Sequence, residues 1–350
     1  MGAAASRTKE TINRRHGGGA LRVVLWVIAS VLAAGTVLSL AFKLSPWPAA
    51  LLIRSVFSKG AQKAAATQLP YVPSTLQVHR GVSYRSGDTD ALLDVFSPAA
   101  GTEALPTIVW VHGGGWVSGS THEGARYMSV LAARGFTVVN VGYSIAPEKK
   151  YPVPVEQVLD ALAFLTRNAA QYRVNPQALV LAGDSAGGQI AAQVANIITS
   201  PNYAQAMRLT PSIAPQQLAG VVLYCGAYDM AMVDWNGRFG SFLKTIMWAY
   251  TGVEDVRADH SFDLASVLNY VTAEFPPAFI SAGNADPLAP QSQALARKLQ
   301  SLGCRVHERF FEHDDPAQLG HEYQAHLDKP QARESLELSL DFVRSVTDGR

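Results

Sequence analysis

The stretch Val180-Leu181-Ala182-Gly183-Asp184-Ser185-Ala186-Gly187-Gly188 has the pattern of a strand that turns directly into a helix. Ala178 to Ala182 is a short apolar run of the kind found in buried strands, and residues 189–195 have helical periodicity. Because strand and helix approach closely at such a turn, small residues are needed on both sides of Ser185. The pattern therefore predicts a serine hydroxyl that projects from the end of a strand, beside a helix N-terminus that favours negative charge.

The spacing of Gly183, Ser185 and Gly187 is that of a nucleophile elbow, G-x-S-x-G, in which the serine attacks an electrophilic carbon. We predict that Ser185 is the nucleophile of a hydrolase. Asp184 fits the same helix N-terminus, where an acidic side chain is favourable whether or not it takes part in chemistry.

Length and composition allow a large core and exclude one class of partner. The chain has 350 residues, 48% of them hydrophobic, and a formal net charge of +1. A chain so close to neutral has no general attraction to a polyanion, so we expect no nucleic acid partner. Cys225 ends one predicted parallel strand and Cys304 begins another, at opposite edges of the sheet and too far apart for a disulfide. We expect two free thiols.

The segment Val23–Phe42 contains 20 residues without a charge, about the length that a helix needs to cross a bilayer. Residues 1–22 carry five basic residues and one acidic residue, so the positive-inside rule predicts a basic cytoplasmic N-terminus. We predict an uncleaved transmembrane signal anchor at 23–42, with the following domain on the extracytoplasmic side. A cleaved signal peptide is the alternative, although its apolar region is normally shorter.

We predict residues 43–75 to be a linker, with a short amphipathic helix over Ala49–Phe57 that lies on the bilayer or against the next domain. Residues 76–350 alternate between strand and helix patterns, which indicates an α/β fold with a mostly parallel sheet and helices on both faces. Such a sheet binds ligands at the C-terminal ends of its strands. The predicted strands are Leu76–Arg85, Leu92–Phe96, Thr107–Val111, Phe136–Val141, Ala178–Ala182, Leu218–Tyr224, Ala278–Ser281 and Arg305–Phe311.

A second motif, His112-Gly113-Gly114-Gly115-Trp116, directly follows the predicted strand Thr107–Val111. Consecutive glycines let a backbone approach a ligand closely and point N–H groups at it, as an oxyanion requires. We predict that the N–H groups of Gly114, Gly115 and Ala186 form an oxyanion hole. A phosphate-binding loop is the alternative, but it normally continues with Lys and Ser or Thr, which are absent here.

The two motifs together resemble those of the hormone-sensitive-lipase group of α/β-hydrolase carboxylesterases and its acetyl esterase relatives. The resemblance covers roughly residues 105–346. It includes Tyr143-Ser144-Ile145-Ala146-Pro147-Glu148, which is similar to the group's Tyr-Arg-Leu-Ala-Pro-Glu segment with Ser144 in place of the arginine. This resemblance implies an α/β-hydrolase fold and a serine esterase.

The catalytic triad of an α/β-hydrolase follows the chain order Ser, acid, His. Asp286 lies in the loop after the predicted strand Ala278–Ser281, where a carboxylate at the catalytic edge of the sheet would orient an imidazole. We therefore predict Asp286 as the acid. Asp229, at the end of an earlier strand, is the alternative.

Two histidines, His313 and His321, follow the last predicted strand and compete for the role of base. We predict His321, because Gly320 relaxes the backbone before it and its loop has the length to return over the sheet edge. His313 with Asp314 and Asp315 also resembles a metal cluster. No further ligand is evident, so we predict a solvated acidic loop and no metal site.

Residues 230–272 lie between two predicted core strands and are rich in aromatic residues. This composition suits a small helical cap over an acyl pocket, and it suits ordinary core packing of an inserted segment equally well. The residues concerned are Trp235, Phe239, Phe242, Met247, Trp248 and Tyr250.

The sequence thus predicts a membrane-anchored serine carboxylesterase or lipase that hydrolyses short to medium acyl esters of small molecules or lipids. His321 takes the proton of Ser185 during attack, and water later releases the acyl group by the same route, so no cofactor is needed. Two alternatives remain open. One is an amidase, peptidase or acyltransferase with the same triad, and the other is a non-catalytic binding protein of this fold.

Overall fold

Eight strands form one sheet in the order β1-β2-β4-β3-β5-β6-β7-β8. A computed structural model describes residues 3–237, 239–258 and 260–350 of the chain. The strands β3 to β8 run parallel to one another, whereas β2 is antiparallel to both β1 and β4. The strands are β1 Leu76–Ser83, β2 Leu92–Pro98, β3 Leu105–Val111, β4 Thr137–Val141, β5 Val174–Asp184, β6 Leu218–Tyr224, β7 Ala278–Ser281 and β8 Val306–Arg309.

Helices pack on both faces of this sheet and divide the core into two clusters. Helices α4, α5 and α8 contribute to one cluster, and α3 and α9 contribute to the other. The described helices are α1 Ala3–Leu44, α2 Trp47–Gln68, α3 Thr121–Ala132, α4 Val153–Arg167, α5 Ala186–Thr199, α6 Pro201–Met207, α7 Gly240–Thr251, α8 Ala289–Ser301 and α9 Pro330–Thr347. The predicted α/β-hydrolase architecture is confirmed.

The central strands are apolar throughout because each of their faces is covered. In β3, Val109 and Val111 point into one cluster, while Ile108 and Trp110 point into the other. A strand buried on both faces reads as a continuous apolar run, which made these strands easy to predict. Each predicted strand has its counterpart in the sheet, and the largest difference is at β5, which begins at Val174 rather than Ala178.

The chain divides into two compact units, one up to Ala49 and one comprising Ala50–Arg350. The first contains a span, Arg22–Leu44, with mean hydropathy 2.4 and none of its most apolar window buried. This helix is long and apolar enough to cross a membrane, although an N-terminal signal sequence meets the same criterion. The predicted orientation depends on the basic residues at 7–15, whose side chains the structure does not describe.

The predicted linker 43–75 contains a helix longer than the expected Ala49–Phe57. Helix α2 continues to Gln68, and its inner side contributes the buried residues Ala50, Ala64, Ala65 and Gln68 to the second unit. The helix therefore belongs to the packed body that begins at Ala50 rather than near Leu76. Sequence reasoning missed its second half because a face made of alanines has little hydrophobic contrast with the exposed side.

The contacts of α2 are specific as well as apolar. The Arg54 guanidinium donates to the carbonyl oxygens of Val117 at 2.7 Å and Ala146 at 2.8 Å, and it forms an ion pair with Glu148. At the other end of the helix, the Gln68 amide donates to the Ala325 carbonyl at 2.9 Å. These bonds attach the helix at two separate places on the domain.

The turn between β5 and α5 depends on close backbone packing at Gly187. A Cβ on Gly187 would lie 2.1 Å from the Val111 carbonyl oxygen and 2.4 Å from that of His112. Backbone atoms at the end of β3 cannot move aside without disturbing the sheet. We therefore expect Gly187→Ala to lower the free energy of unfolding by at least about 3 kcal/mol, measured by chemical denaturation in detergent.

Gly60→Ala is the matched control for this substitution. Gly60 lies within α2, and a Cβ there would meet nothing within 4 Å. Since alanine is a better helix former than glycine, the free energy of unfolding of this variant should be about 0.5 to 1 kcal/mol higher than that of the wild type. Equal stability losses in both variants would contradict the packing argument.

Candidate active site

The C-terminal ends of the parallel strands carry the side chains that the sequence singled out. Ser185 follows β5 directly, with φ 53° and ψ −121°, and α5 begins at the next residue. This positive φ is strained for a residue with a side chain, and it is the elbow geometry that the flanking glycines permit. Ser185 is 8% exposed, so the residue is largely shielded from bulk water but still accessible from the surface.

Ser185, His321 and Asp286 form one continuous hydrogen-bonded chain. The Ser185 Oγ lies 2.9 Å from Nε2 of His321, and Nδ1 of His321 lies 3.0 Å from each carboxylate oxygen of Asp286. The Asp286 side chain is fully buried, whereas the His321 side chain is 34% exposed. An imidazole held in this way can accept the serine proton at one nitrogen while the buried carboxylate fixes the other.

The charges around His321 keep its imidazole basic. Burial lowers the pKa of His321, but the carboxylate of Asp286, which lies within hydrogen-bond distance of Nδ1, raises it by more, so that the pKa lies well above the usual 6.5. Burial raises the pKa of the Cys225 thiol to about 11, so this thiol is neutral at ordinary pH. The negative charge that raises the His321 pKa is therefore that of Asp286.

The raised pKa fixes the direction of the pH dependence. His321 accepts the serine proton only when it is neutral, so activity should be lost as pH falls through the raised pKa. We expect the acidic limb of kcat/KM to have its midpoint above pH 6.5, the ordinary value for an imidazole. Hydrolysis of a p-nitrophenyl ester across pH, read at a pH-independent wavelength, gives this midpoint. A midpoint at or below the ordinary value would contradict the proposed base.

The glycine loop after β3 adopts a conformation that side chains would prevent. Gly114 and Gly115 have φ values of 112° and 59°, and a Cβ on Gly114 would lie 2.3 Å from the Ser118 carbonyl oxygen. The Gly114 carbonyl accepts the N–H groups of Val117 and Ser118. Within the described part of the chain, the N–H groups of Gly114 and Gly115 have no acceptor, so they are available to a ligand.

A buried histidine, His112, contacts this loop and stabilises its conformation. The His112 ring stacks on Tyr143 with 4.2 Å between ring centroids, and its Nδ1 lies 2.8 Å from the Gly113 carbonyl oxygen. Burial lowers the pKa of His112 to about 4, so the ring is neutral and its Nδ1–H donates to that carbonyl. The Tyr143 hydroxyl in turn donates to the His112 carbonyl at 2.8 Å.

The structure also places the competing residues. Asp229 accepts the N–H of Ala231 at 2.9 Å and thereby caps the short turn Met230–Met232. His313 is exposed in the loop after β8, and within the described residues it is His321, not His313, that hydrogen-bonds to Ser185 and Asp286. Ser144, which replaces the arginine of the resembling segment, donates to the Asp90 carboxylate at 2.9 Å.

Residues from α2 and from the segment 230–272 surround the loop. A Cβ on Gly115 would lie 3.1 Å from Cδ1 of Ile246 and 3.4 Å from Cε2 of Phe57. The Phe57 ring meets Phe242 edge to face, with 5.9 Å between centroids. Sequence reasoning included Phe242 in the predicted cap but missed Phe57, because Phe57 was assigned to the linker.

Sequence reasoning missed one further residue beside Ser185, His321 and Asp286, namely Cys225. The Cys225 thiol is buried beside His321, and Cys225 has an unusual φ of 43°. Ligand atoms of Cys225, Asp286 and His321 all lie within 4.8 Å of one another. The only sequence signal was the place of Cys225 at the end of a parallel strand. Both cysteines are free thiols, as predicted.

The eight-stranded sheet, the strained serine and the hydrogen-bonded histidine and aspartate together define an α/β-hydrolase. The BD-FAE family model matches residues 93–299, more than half of the chain, and the chain belongs to this family. It is 31% identical over 238 residues to carboxylesterase NlhH of Mycobacterium tuberculosis, covering 65% of this chain and 70% of that protein. The predicted relation to α/β-hydrolase carboxylesterases is confirmed.

Two further similarities define the extent of this relationship. An acetyl esterase of Salmonella paratyphi B is 28% identical, covering 61% of this chain and 64% of that enzyme. The crystal structure of esterase B from Lactobacillus Rhamnosis superimposes with a TM-score of 0.72 at 21% identity, covering 86% of this chain and 96% of that chain. The chain spans about three fifths of the length of several curated relatives that it matches.

Proposed function

We infer that the protein is a serine carboxylesterase that hydrolyses short to medium acyl esters through an acyl-enzyme on Ser185. The observation that carries this conclusion is the continuous chain from Ser185 Oγ through His321 to the buried Asp286, with distances of 2.9 and 3.0 Å. Membership in a family of esterases supports ester rather than amide hydrolysis.

In the proposed mechanism, His321 accepts the Ser185 proton while the serine oxygen bonds to the ester carbonyl carbon. The negative charge on the carbonyl oxygen is bound by the N–H groups of Gly114, Gly115 and Ala186, the last of which begins α5. The imidazolium then protonates the departing alcohol. Water, deprotonated by the same imidazole, releases the carboxylic acid and regenerates the serine hydroxyl.

The apolar residues around the glycine loop support a small acyl group. Phe57 and Ile246 lie close to Gly115, so the acyl chain of a bound ester would meet an aromatic ring and a branched side chain near its carbonyl. Restricted space of this kind favours short chains over long ones. Similarity to an acetyl esterase points in the same direction.

We further propose that the Arg22–Leu44 helix anchors the enzyme in a membrane, with the N-terminus in the cytoplasm and the catalytic domain outside. The length and hydropathy of the span support anchoring, and the basic residues before it support this orientation. A reporter fused to the C-terminus tests the orientation. Reporter activity confined to the cytoplasm would refute it.

The activity is tested with the full-length protein in detergent, using p-nitrophenyl esters of graded acyl length and the matching anilides. We expect ester hydrolysis that is greatest for short to medium chains, little anilide hydrolysis, and labelling of Ser185 by a fluorophosphonate. Faster hydrolysis of anilides would indicate an amidase. Absence of both labelling and turnover would indicate a binding protein and refute the proposed activity.

A further inference from the structure

Two carboxyl side chains flank the hydrogen bond between Ser185 and His321. Asp184 directly precedes the serine and Glu322 directly follows the histidine. The two carboxyl groups lie side by side, because Oδ2 of Asp184 and Oε1 of Glu322 approach the same point beside Gly113, and both residues are partly buried. Ionised carboxylates only accept hydrogen bonds, so two such groups side by side can bond to each other only when one of them carries a proton.

The pair also lies against the first glycine of the loop after β3. A Cβ on Gly113 would lie 2.7 Å from Oδ2 of Asp184 and 2.7 Å from Oε1 of Glu322. Both oxygens therefore lie beside the same glycine, where a side chain at position 113 would meet the two carboxyl groups. The two glycines that follow are those with free N–H groups, so the pair touches the loop that would bind the oxyanion.

Each acid is held in place on its other side. The second oxygen of Asp184 accepts the indole N–H of Trp110 at 2.9 Å. Glu322 has a φ of 57°, a conformation that is unusual for a residue with a side chain. Neither carboxyl group takes part in the chain that joins Ser185, His321 and Asp286.

The neighbours of the pair are mostly neutral. The titratable groups that face it are the imidazole of His321, the thiol of Cys225, and the hydroxyls of Tyr127, Tyr143 and Tyr228. Burial raises the pKa of the thiol to about 11 and keeps the pKa of each phenol well above its usual range. Burial, followed by the charge of Glu322, raises the pKa of Asp184 well above its usual value.

We propose that Asp184 and Glu322 share one proton and act as a positioning pair that holds His321 against Ser185 and fixes the glycine loop. When the proton is lost, two negative charges remain in one partly buried contact and repel each other. One charge is attached to the residue before the nucleophile and the other to the residue after the base. Their separation therefore lengthens the bond between serine and histidine and frees Gly113.

If the two groups share a proton, its loss at high pH should cause activity to decline on the alkaline side of the pH profile. Loss of the shared proton should lower kcat of the full-length enzyme by about 100-fold with little change in KM, because a displacement of about 1 Å at reacting groups has an effect of this size. In Glu322→Gln the amide donates to Asp184 at every pH. This variant should lose the alkaline limb, so that its kcat at alkaline pH equals its own kcat at neutral pH.

Asp314→Asn is the matched control, because Asp314 is an exposed acid in the same loop and its substitution removes the same charge. It should keep the alkaline limb of the wild type. An alkaline limb that persists in Glu322→Gln would refute the pair, and so would a wild-type profile with no such limb.

A second measurement is independent of turnover. The rate effect rests on the proposed esterase activity, whereas the proton itself is detectable by infrared spectroscopy. At neutral pH the wild type should show the C=O band of a protonated carboxyl group, and this band should be absent in Asp184→Asn and in Glu322→Gln. A protein that lacks this band refutes the pair even if it is a good esterase. A protein that shows the band but hydrolyses no ester refutes the proposed function alone.

Discussion

Replacing Ser185 with alanine should lower kcat for p-nitrophenyl butyrate by about 10⁶-fold, the effect of removing the serine of a comparable triad. The substitution removes the oxygen that lies 2.9 Å from the His321 base and leaves the backbone of the elbow in place. Weak hydrolysis above the rate in water should remain, because the glycine loop can still bind an oxyanion. Fluorophosphonate labelling should disappear altogether.

Ser292→Ala is the matched control for this experiment. Ser292 is a fully buried serine in α8 whose hydroxyl has no hydrogen-bond partner among the residues that the structure describes, so its removal changes the same group without touching Ser185, His321 or Asp286. Its activity and labelling should equal those of the wild type. Substantial hydrolysis by Ser185→Ala, beyond what contaminating wild-type enzyme explains, would contradict the acyl-enzyme mechanism.

The second large effect should come from Asp286→Asn, which we expect to lower kcat by about 10⁴-fold. An asparagine keeps the size of the side chain, but it can present an N–H to Nδ1 of His321 and so favour the tautomer that cannot accept the serine proton. The change also removes the negative charge that stabilises the imidazolium. The rate of fluorophosphonate labelling should fall together with kcat.

Asp229→Asn provides the comparison, because Asp229 is the other acid that the sequence places after a strand. Its carboxylate caps a short turn, so the substitution should leave kcat close to that of the wild type. A greater loss in Asp229→Asn than in Asp286→Asn would show that the acid is wrongly assigned.

The elements nearest the chemistry were the most predictable from sequence. The elbow and the glycine loop are formed by residues that are consecutive in the sequence. Their need for small residues can therefore be seen directly in the order of the glycines between a strand and a helix. The strands were equally clear, since a run such as Val109 to Val111 is apolar because both faces of the sheet are covered. The prediction of Asp286 and His321 required only the chain order of the elements and the knowledge that their loops meet at the C-terminal edge of the sheet.

The missing parts depend on contacts between residues that are distant in sequence. Nothing near Glu322 indicates that it meets Asp184, because the contact exists only once the loops after β5 and β8 converge. Cys225 reaches His321 for the same reason. The packing of α2 against the domain could not be predicted for a different reason. Its buried face consists largely of alanines and the stem of one arginine, and these residues give no strong hydrophobic periodicity.

The attachment of α2 determines where the chain can be shortened. Arg54 satisfies two carbonyl oxygens that adjoin the glycine loop, and Phe57 lies against that loop. A truncation placed at the first strand would remove a wall of the site and leave both carbonyls without this donor. A shortened form of the protein that keeps this wall of the site must therefore retain α2, most of which belongs to the compact unit that begins at Ala50.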